Sequence, residues 1–400
     1  MGDPLLNHGI DLVIFLIVCL KAVIVFAVVL VSVLAMVVFE RKVIGHMQNR
    51  IGPNRAGPYG LLQSLADGTK LFFKEALLPG KSDKRIYRLA PFLAVVPAFL
   101  VFAIVPIGGA VSIFGHQTRL QLADPPWGIL FMLMLSSIAV YGVMLAGWAS
   151  GSKYPLLGAV RASAQMISYE AAMGLSIATV VVLSGSLRTS VIAGRQYGLL
   201  HFRNFTVPLP AWNLFRSWVV PFIIFMMAIT AEMHRPPFDL VEAEEELAGG
   251  FNTEYSSLGF ALFYLAEFMN VVTMSGITVT LFLGGPIGPR LFGNSIGPFW
   301  FLLKIFCFLF TYVWLRATLP RFRYDQLMDL GWKRLIPAGL GMLLFVAAVR
   351  TGSRGWVIGV LAGLVAGAAL LLRALSMGQR TTLIETAIPH PGPVATGKEA

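Results

Sequence analysis

The chain has 400 residues, room for two or three soluble domains, yet only 13% are charged, 56% are hydrophobic and the mean hydropathy is +0.75. Soluble domains carry about 25% charged residues, so this composition excludes a water-facing globular surface. The net charge of +11 comes from Lys and Arg in short segments between apolar runs, which is a topology signal and not a nucleic-acid surface.

Nine apolar runs are predicted to cross the bilayer, at residues 12–39, 90–113, 127–149, 168–183, 218–231, 258–283, 299–315, 335–349 and 355–372. Most are near the length that spans a hydrocarbon core of roughly 30 Å as a helix. The expected fold class is all-α, a polytopic transmembrane helix bundle. The first run has no basic residue before it and no small-residue cleavage site after it, the pattern of a retained span and not a signal peptide. Pro97, Pro106 and Pro221 fall within predicted spans and predict kinks. Cys19 and Cys307, the only cysteines, lie inside apolar runs and are read as buried thiols.

If the N-terminus is outside, inner segments hold 21 Lys and Arg and outer segments hold 8. This bias predicts N-terminus out and C-terminus cytoplasmic. The segment with Arg188, Arg195, Arg203 and Arg216 opposes the rule, but the first inner loop alone holds ten such residues. No repeat of fixed period is present, so an inverted-repeat transporter gains no support. Residues 379–400, rich in Pro, Thr and Gly, are predicted to be a disordered cytoplasmic tail.

The first inner loop opens at the membrane edge with Glu40-Arg41-Lys42 and continues Gln48-Asn49-Arg50-Ile51-Gly52-Pro53-Asn54-Arg55-Ala56-Gly57-Pro58, whose Gly and Pro residues force a compact turn. Leu61, Leu62, Leu65, Thr69, Phe72 and Phe73 then recur at helical spacing, with Gln63, Asp67, Lys70 and Lys74 on the other face. That pattern predicts an amphipathic helix lying at the interface; Asp67 taken alone reads equally well as part of a solvated face.

The segment after the fifth run is acidic: seven of the chain's 20 carboxylates lie within the 23 residues from Glu232 to Glu254. Beyond Pro236-Pro237, Asp239, Glu242 and Glu246 share one helical face, with Glu245 beside them and Glu244 opposite. Crowded carboxylates near a low-dielectric region repel one another, so some are expected to hold protons near neutral pH. Charge pattern alone also fits a wet loop or one that docks a basic partner. Within the spans, Glu170 and Glu267 are candidates because an intramembrane carboxylate costs at least roughly 2.5–3.5 kcal/mol. Lys21 and Lys304 are read either as ion pairs between spans or as snorkelling side chains. The chain has no phosphate-binding loop, dinucleotide fingerprint, Cys cluster or paired-His spacing. No metal ligand set or catalytic residue is therefore expected in it, and redox centres must come from partners.

At these residues the sequence resembles the H subunit (mitochondrial subunit 1) family of the proton-pumping NADH–quinone oxidoreductases, respiratory complex I. The matching stretches are Glu40-Arg41-Lys42, Gln48 to Asn54, Ala66-Asp67-Gly68 with Lys70-Leu71-Phe72 and Lys74-Glu75, Ser168-Tyr169-Glu170, Arg235 to Leu240 and on to Glu254-Tyr255, and Ala266-Glu267-Phe268. The resemblance implies an eight-span membrane domain over residues 1–350, an extra C-terminal transmembrane helix over 351–378 and the tail beyond. It implies a quinone chamber faced by Glu40, Gln48, Arg50, Asp67, Arg235, Asp239, Glu242, Glu244 and Glu246. Glu170, Glu232, Glu254 and Glu267 would form a proton path into the membrane arm. The implied substrate is menaquinone or ubiquinone; NADH, FMN and iron–sulfur clusters would belong to partner subunits. Partners would be hydrophilic quinone-site subunits, antiporter-like membrane subunits and lipid, in the bacterial plasma (inner) membrane. Met233-His234, Pro236 and Glu245 depart from the family's usual pattern. Two alternatives share some of these features: the membrane anchor of a related hydrogenase or deazaflavin-linked dehydrogenase, which has a similar acidic loop, and a stand-alone cation–proton antiporter, which would concentrate its acids at the bilayer midplane.

Overall fold

The computed structural model describes residues 5, 12–113, 116–202, 205–240, 250–288, 297–352, 355–364 and 367. The chain divides into two compact units, Met1–Leu343 and Leu344–Ala400. In the first unit the elements are α1 (Leu12–Met47), α2 (Gln63–Phe73), α3 (Lys84–Phe102), the hairpin β1 (Ala110–Ile113) and β2 (His116–Arg119), α4 (Gly128–Ala149), α5 (Lys153–Ser184) and α6 (Thr189–Gly194). They continue with a second hairpin, β3 (Leu199–Phe202) and β4 (Phe205–Pro210), then α7 (Asn213–Arg216), α8 (Val220–Glu232), α9 (Ser257–Phe282), α10 (Gly297–Thr318), α11 (Tyr324–Asp329), a π-turn (Leu330–Leu335) and the start of α12 (Ile336–Thr351). The second unit takes in the end of α12 and a short apolar helix, Gly355–Leu364.

Among the described residues, seven helices are long and apolar enough to cross a membrane: α1, α3, α4, α5, α9, α10 and the continuous segment Tyr324–Thr351. Val220–Glu232 and Gly355–Leu364 are shorter apolar helices. Seven of the nine predicted runs thus coincide with helices of spanning length and the fifth with a shorter one. The ninth coincides with a short helix over its first ten residues, the rest of it lying largely outside the described residues. The protein is a polytopic helical membrane bundle. At 13 residues, α8 reaches about 20 Å at 1.5 Å per residue, short of a full crossing.

Boundaries differ from the predicted spans in instructive ways. The second run was expected to continue to 113, but α3 ends at Phe102 and the chain turns into the first hairpin, whose Val and Ile extend the hydropathy signal without extending the helix. The helix of the fourth run, α5, starts at Lys153, fifteen residues before the predicted 168, because polar Arg161, Gln165 and Ser168 depress hydropathy inside a helix that buries Gln165 and Ser168 and half-buries Arg161. Of the prolines expected to kink spans, Pro97 lies within α3 together with Pro91. Pro106 lies beyond its end, and Pro221 sits in the first turn of α8, where its missing N–H costs nothing.

The bundle's centre is α9, which packs on α1, α3 and α10; 61% of its apolar window is buried, against 17% for α1 and 22% for α10. The latter two turn broad apolar faces outward. Cys19 and Cys307, expected to be buried, are exposed on these faces. One core cluster gathers Tyr169, Met173, Phe225, Ile229, Phe268 and Phe282 from α5, α8 and α9. A second joins Tyr87, Ala94, Val143, Ala159 and Met166 to Tyr255 and Phe263. Helices α4 and α5 meet closely at Gly147, where a Cβ would come within 2.3 Å of the Ala159 Cβ, the small-residue contact typical of membrane helices.

The amphipathic helix expected after the first turn is α2. Ser64 on its inner face donates to the Leu34 carbonyl of α1 at 2.8 Å, while Leu65, Phe72 and Phe73 stay exposed. The carbonyls of Leu71 in its last turn and of Lys74 just past its end are reached by the Ser257 hydroxyl at the start of α9 (3.0 and 2.7 Å). Lys304 is held by backbone carbonyls. Its ammonium donates to the carbonyls of Leu283 (2.6 Å), Gly285 (3.1 Å) and Ile287 (2.6 Å), a cation at the negative end of α9. Lys21 donates to Thr118 of β2 at 2.9 Å.

Candidate functional site

Arg235 follows the end of α8, where Pro236-Pro237 stops helical continuation. The turn is tied down from both sides: Gln165 of α5 donates to the Ala231 carbonyl (2.7 Å) and the Phe238 carbonyl (2.8 Å), and the Phe322 amide donates to the Pro237 carbonyl at 2.9 Å. Held there, the guanidinium faces two carboxylates. Its Nη1 is 3.2 and 3.3 Å from the Glu40 oxygens on α1, and its Nη2 is 3.1 Å from Glu267 Oε1 on α9. Arg235 Cζ also lies 4.4 Å from the centre of the Phe268 ring. Glu40 pairs in addition with Arg316 of α10. The chain Arg316–Glu40–Arg235–Glu267 thus links α1, the α8 turn, α9 and α10 with two charges of each sign. Side-chain exposure is 5% for Glu40 and Arg235 and 13% for Glu267, so pairing is what makes these charges tolerable in low dielectric.

At its outer end this chain opens into a cavity of about 580 Å³ lined by Glu40, Arg41, Gln48, Arg50, Tyr264, Phe268 and Arg316, within the size range of small-molecule pockets. Arg50 Nε donates to Gln48 Oε1 at 2.7 Å. The Gly-Pro turn is packed so tightly that a Cβ at Gly60, whose φ is +72°, would lie 2.1 Å from the Pro53 carbonyl oxygen. Three of the residues singled out in the sequence, Glu40, Gln48 and Arg50, therefore share one cavity, and Arg235 stands behind Glu40. Asp67 adjoins it indirectly, pairing with Arg41 at 2.6 Å and accepting from Gln63 at 3.0 Å. Asp239 is half-buried, and its carbonyl accepts from Arg321 at 3.4 Å; it does not line the cavity. Glu242, Glu244, Glu245 and Glu246 lie outside the described residues.

At its inner end, Glu267 shares a small cavity of about 50 Å³ with Glu232, His234, Asn252 and Asn270, room for about three to five waters at 10–15 Å³ each. Glu232 Oε1 accepts from the Ser136 hydroxyl, and Glu232 Oε2 is buried with no hydrogen-bond partner among the described residues. Glu170 Oε1 accepts from the next residue, Ser137, at 2.5 Å. Glu254 lines neither cavity. Its carbonyl accepts from the Tyr87 hydroxyl at 2.7 Å, while Tyr255 donates to the Tyr87 carbonyl at 3.0 Å and stacks on the Tyr87 ring at 4.0 Å. Burial pushes the Tyr255 phenol up, so it remains a neutral donor.

Sequence reasoning missed Ser136, Ser137, Gln165, Tyr264 and the site role of Arg316. Among the described residues, no group of three or more His, Cys, Asp or Glu could hold a metal ion.

Fold and site together define a polytopic α-helical integral membrane protein with a buried, charge-balanced chain of side chains between two cavities. The NADH dehydrogenase family model matches residues 20–347. The NADH-quinone oxidoreductase H subunit of Frankia alni is 50% identical over 376 residues, covering 91% of this chain and 80% of the relative. The H subunit of Frankia casuarinae is 49% identical over the same length, and that of Streptomyces avermitilis is 50% identical over 345 residues, covering 84% and 73% of the two chains. The chain belongs to this H subunit family and is a membrane subunit of NADH-quinone oxidoreductase.

Proposed function

We propose that the larger cavity is where this subunit receives the quinone headgroup, and that the buried charge chain couples quinone reduction to proton translocation. The observation that carries this reading is the unbroken sequence of charged side chains from Arg316 and Glu40 at the cavity, through Arg235, to Glu267 and the small cavity beyond. Quinone takes up two electrons and two protons to become quinol. Arg41, Arg50 and Arg316 offer donors to its carbonyl oxygens, and Tyr264 and Phe268 offer ring faces. Any change of charge there acts on Glu40, hence on its shared partner Arg235, hence on Glu267. Glu267, Glu232 and Glu170 would carry the proton change onward. Asp67, Glu242, Glu244 and Glu246 would face the same chamber, Asp239 would join it where the hydrophilic partner subunits extend it beyond the cavity in this chain, and Glu254 would belong to the inward route.

In the same reading, electrons arrive from NADH through FMN and iron–sulfur clusters in hydrophilic partner subunits, and antiporter-like membrane subunits complete the proton path. The N-terminus lies outside and the C-terminus in the cytoplasm, in a bacterial plasma membrane. Residues 1–350 form the family domain, followed by an added C-terminal helix (351–378) and a tail (379–400). An azido-quinone photolabel on the assembled enzyme tests the chamber. Labelled peptides spanning Gln48–Pro53 and Tyr264–Phe268, competed away by unlabelled quinone, are expected. Competed label confined to peptides remote from this cavity would contradict the assignment.

A further inference from the structure

Ser136 and Ser137 are consecutive on α4, yet they meet carboxylates from two other helices, Glu232 of α8 and Glu170 of α5. A hydroxyl has one hydrogen to donate and two lone pairs to accept with. Ser137 Oγ has two acceptors in reach: Glu170 Oε1 at 2.5 Å and the carbonyl of Leu133, four residues back, at 3.1 Å. When Glu170 is ionised, the hydroxyl hydrogen points at the carboxylate. When Glu170 carries a proton, its own O–H donates to Ser137 Oγ and the hydroxyl hydrogen turns to Leu133. Every polar hydrogen is accepted in both states, which is the condition for a half-buried acid to change state without stranding a donor.

We propose that Ser137 is a positioning residue of the carboxylate route, holding Glu170 in place and following its proton by rotating between two acceptors. The step moves one proton on or off Glu170 and reorients one O–H; no electron moves and no other bond is broken. The inference rests on the route proposed above. The test uses the assembled enzyme in proteoliposomes with S137A, S137T, S137C and E170Q. S137A is expected to lower the proton-pumping rate about tenfold, the scale of one hydrogen bond to a charged group, and to shift the Glu170 carboxyl band in redox-induced infrared difference spectra. That band is identified by its loss in E170Q. S137T should restore both, because a threonine hydroxyl on a helix keeps the same two acceptors. Should S137A fail to assemble, S137C, with a weak thiol donor, is expected to change in the same direction. S137A or S137C with wild-type pumping and an unmoved band, alongside an inactive E170Q, would overturn the role of Ser137 alone. An E170Q enzyme that pumps normally would overturn the carboxylate route itself.

Discussion

Arg235 holds Glu40 with one guanidinium nitrogen and Glu267 with the other, a geometry that only a planar fork supplies. Removing it takes from Glu267 the cation 3.1 Å away and from Glu40 one of its two guanidinium partners. R235M should therefore destabilise the assembled enzyme by about 3–5 kcal/mol, the usual cost of breaking a buried pair. The double variant R235M/E267Q should recover a large part of that loss, because it removes the carboxylate charge left behind. Thermal unfolding of the purified complex checks both, and a double variant no more stable than R235M would show that the charge on Glu267 is not the source of the loss. The parts of the site differed in how far the sequence revealed them. Glu267 stood out because charge in apolar surroundings is costly, and Glu40 and Arg235 stood out through the motifs that carry the family resemblance. Ser136 and Ser137 did not, since a serine in an apolar helix ordinarily bonds the carbonyl four residues back and nothing local shows what it faces.

At the scale of elements, the site depends on how closely α4 and α5 pack, because the first carries Ser137 and the second Glu170. Gly147 sets that spacing: a side chain there meets Ala159 Cβ at 2.3 Å and the Pro155 carbonyl oxygen at 2.5 Å, whereas Gly174 of α5 has nothing within 4 Å of an added Cβ. G147V should force the helices apart and lower the amount of assembled complex in membranes, while G174A should leave it unchanged. Blue-native gels of membranes carrying each variant separate the two outcomes, and equal assembly would show that this contact is not limiting. Element type was largely legible, since every predicted apolar run is helical over at least part of its described length. The first hairpin was not, because hydropathy alone does not distinguish an apolar strand from the end of a helix. Nor was the start of α5, whose Gln165 and Arg161 look like loop residues until the α8 turn and Tyr324 are packed on them.

Across the whole molecule these parts form one electrostatic unit. The larger cavity meets Arg316 and Glu40, Arg235 bridges to Glu267, and the small cavity is shared by Glu267 and Glu232, whose partner Ser136 is followed by Ser137, the donor to Glu170. Membership of the family came from local motifs such as Gln48–Asn54 and Arg235–Leu240. The continuity between those motifs could not be read from them, because it is made by helices distant in sequence. The central claim is that quinone chemistry is coupled to proton movement through Glu267. It is tested most directly by E267Q in the assembled enzyme, reconstituted in proteoliposomes, with quinone reduction and proton uptake measured together. Glutamine keeps the shape and can still accept from Arg235, but it cannot carry a proton or the charge. A fall in protons moved per quinone reduced is expected, whatever the fall in turnover. An E267Q enzyme that reduces quinone and pumps at the wild-type ratio would contradict the claim.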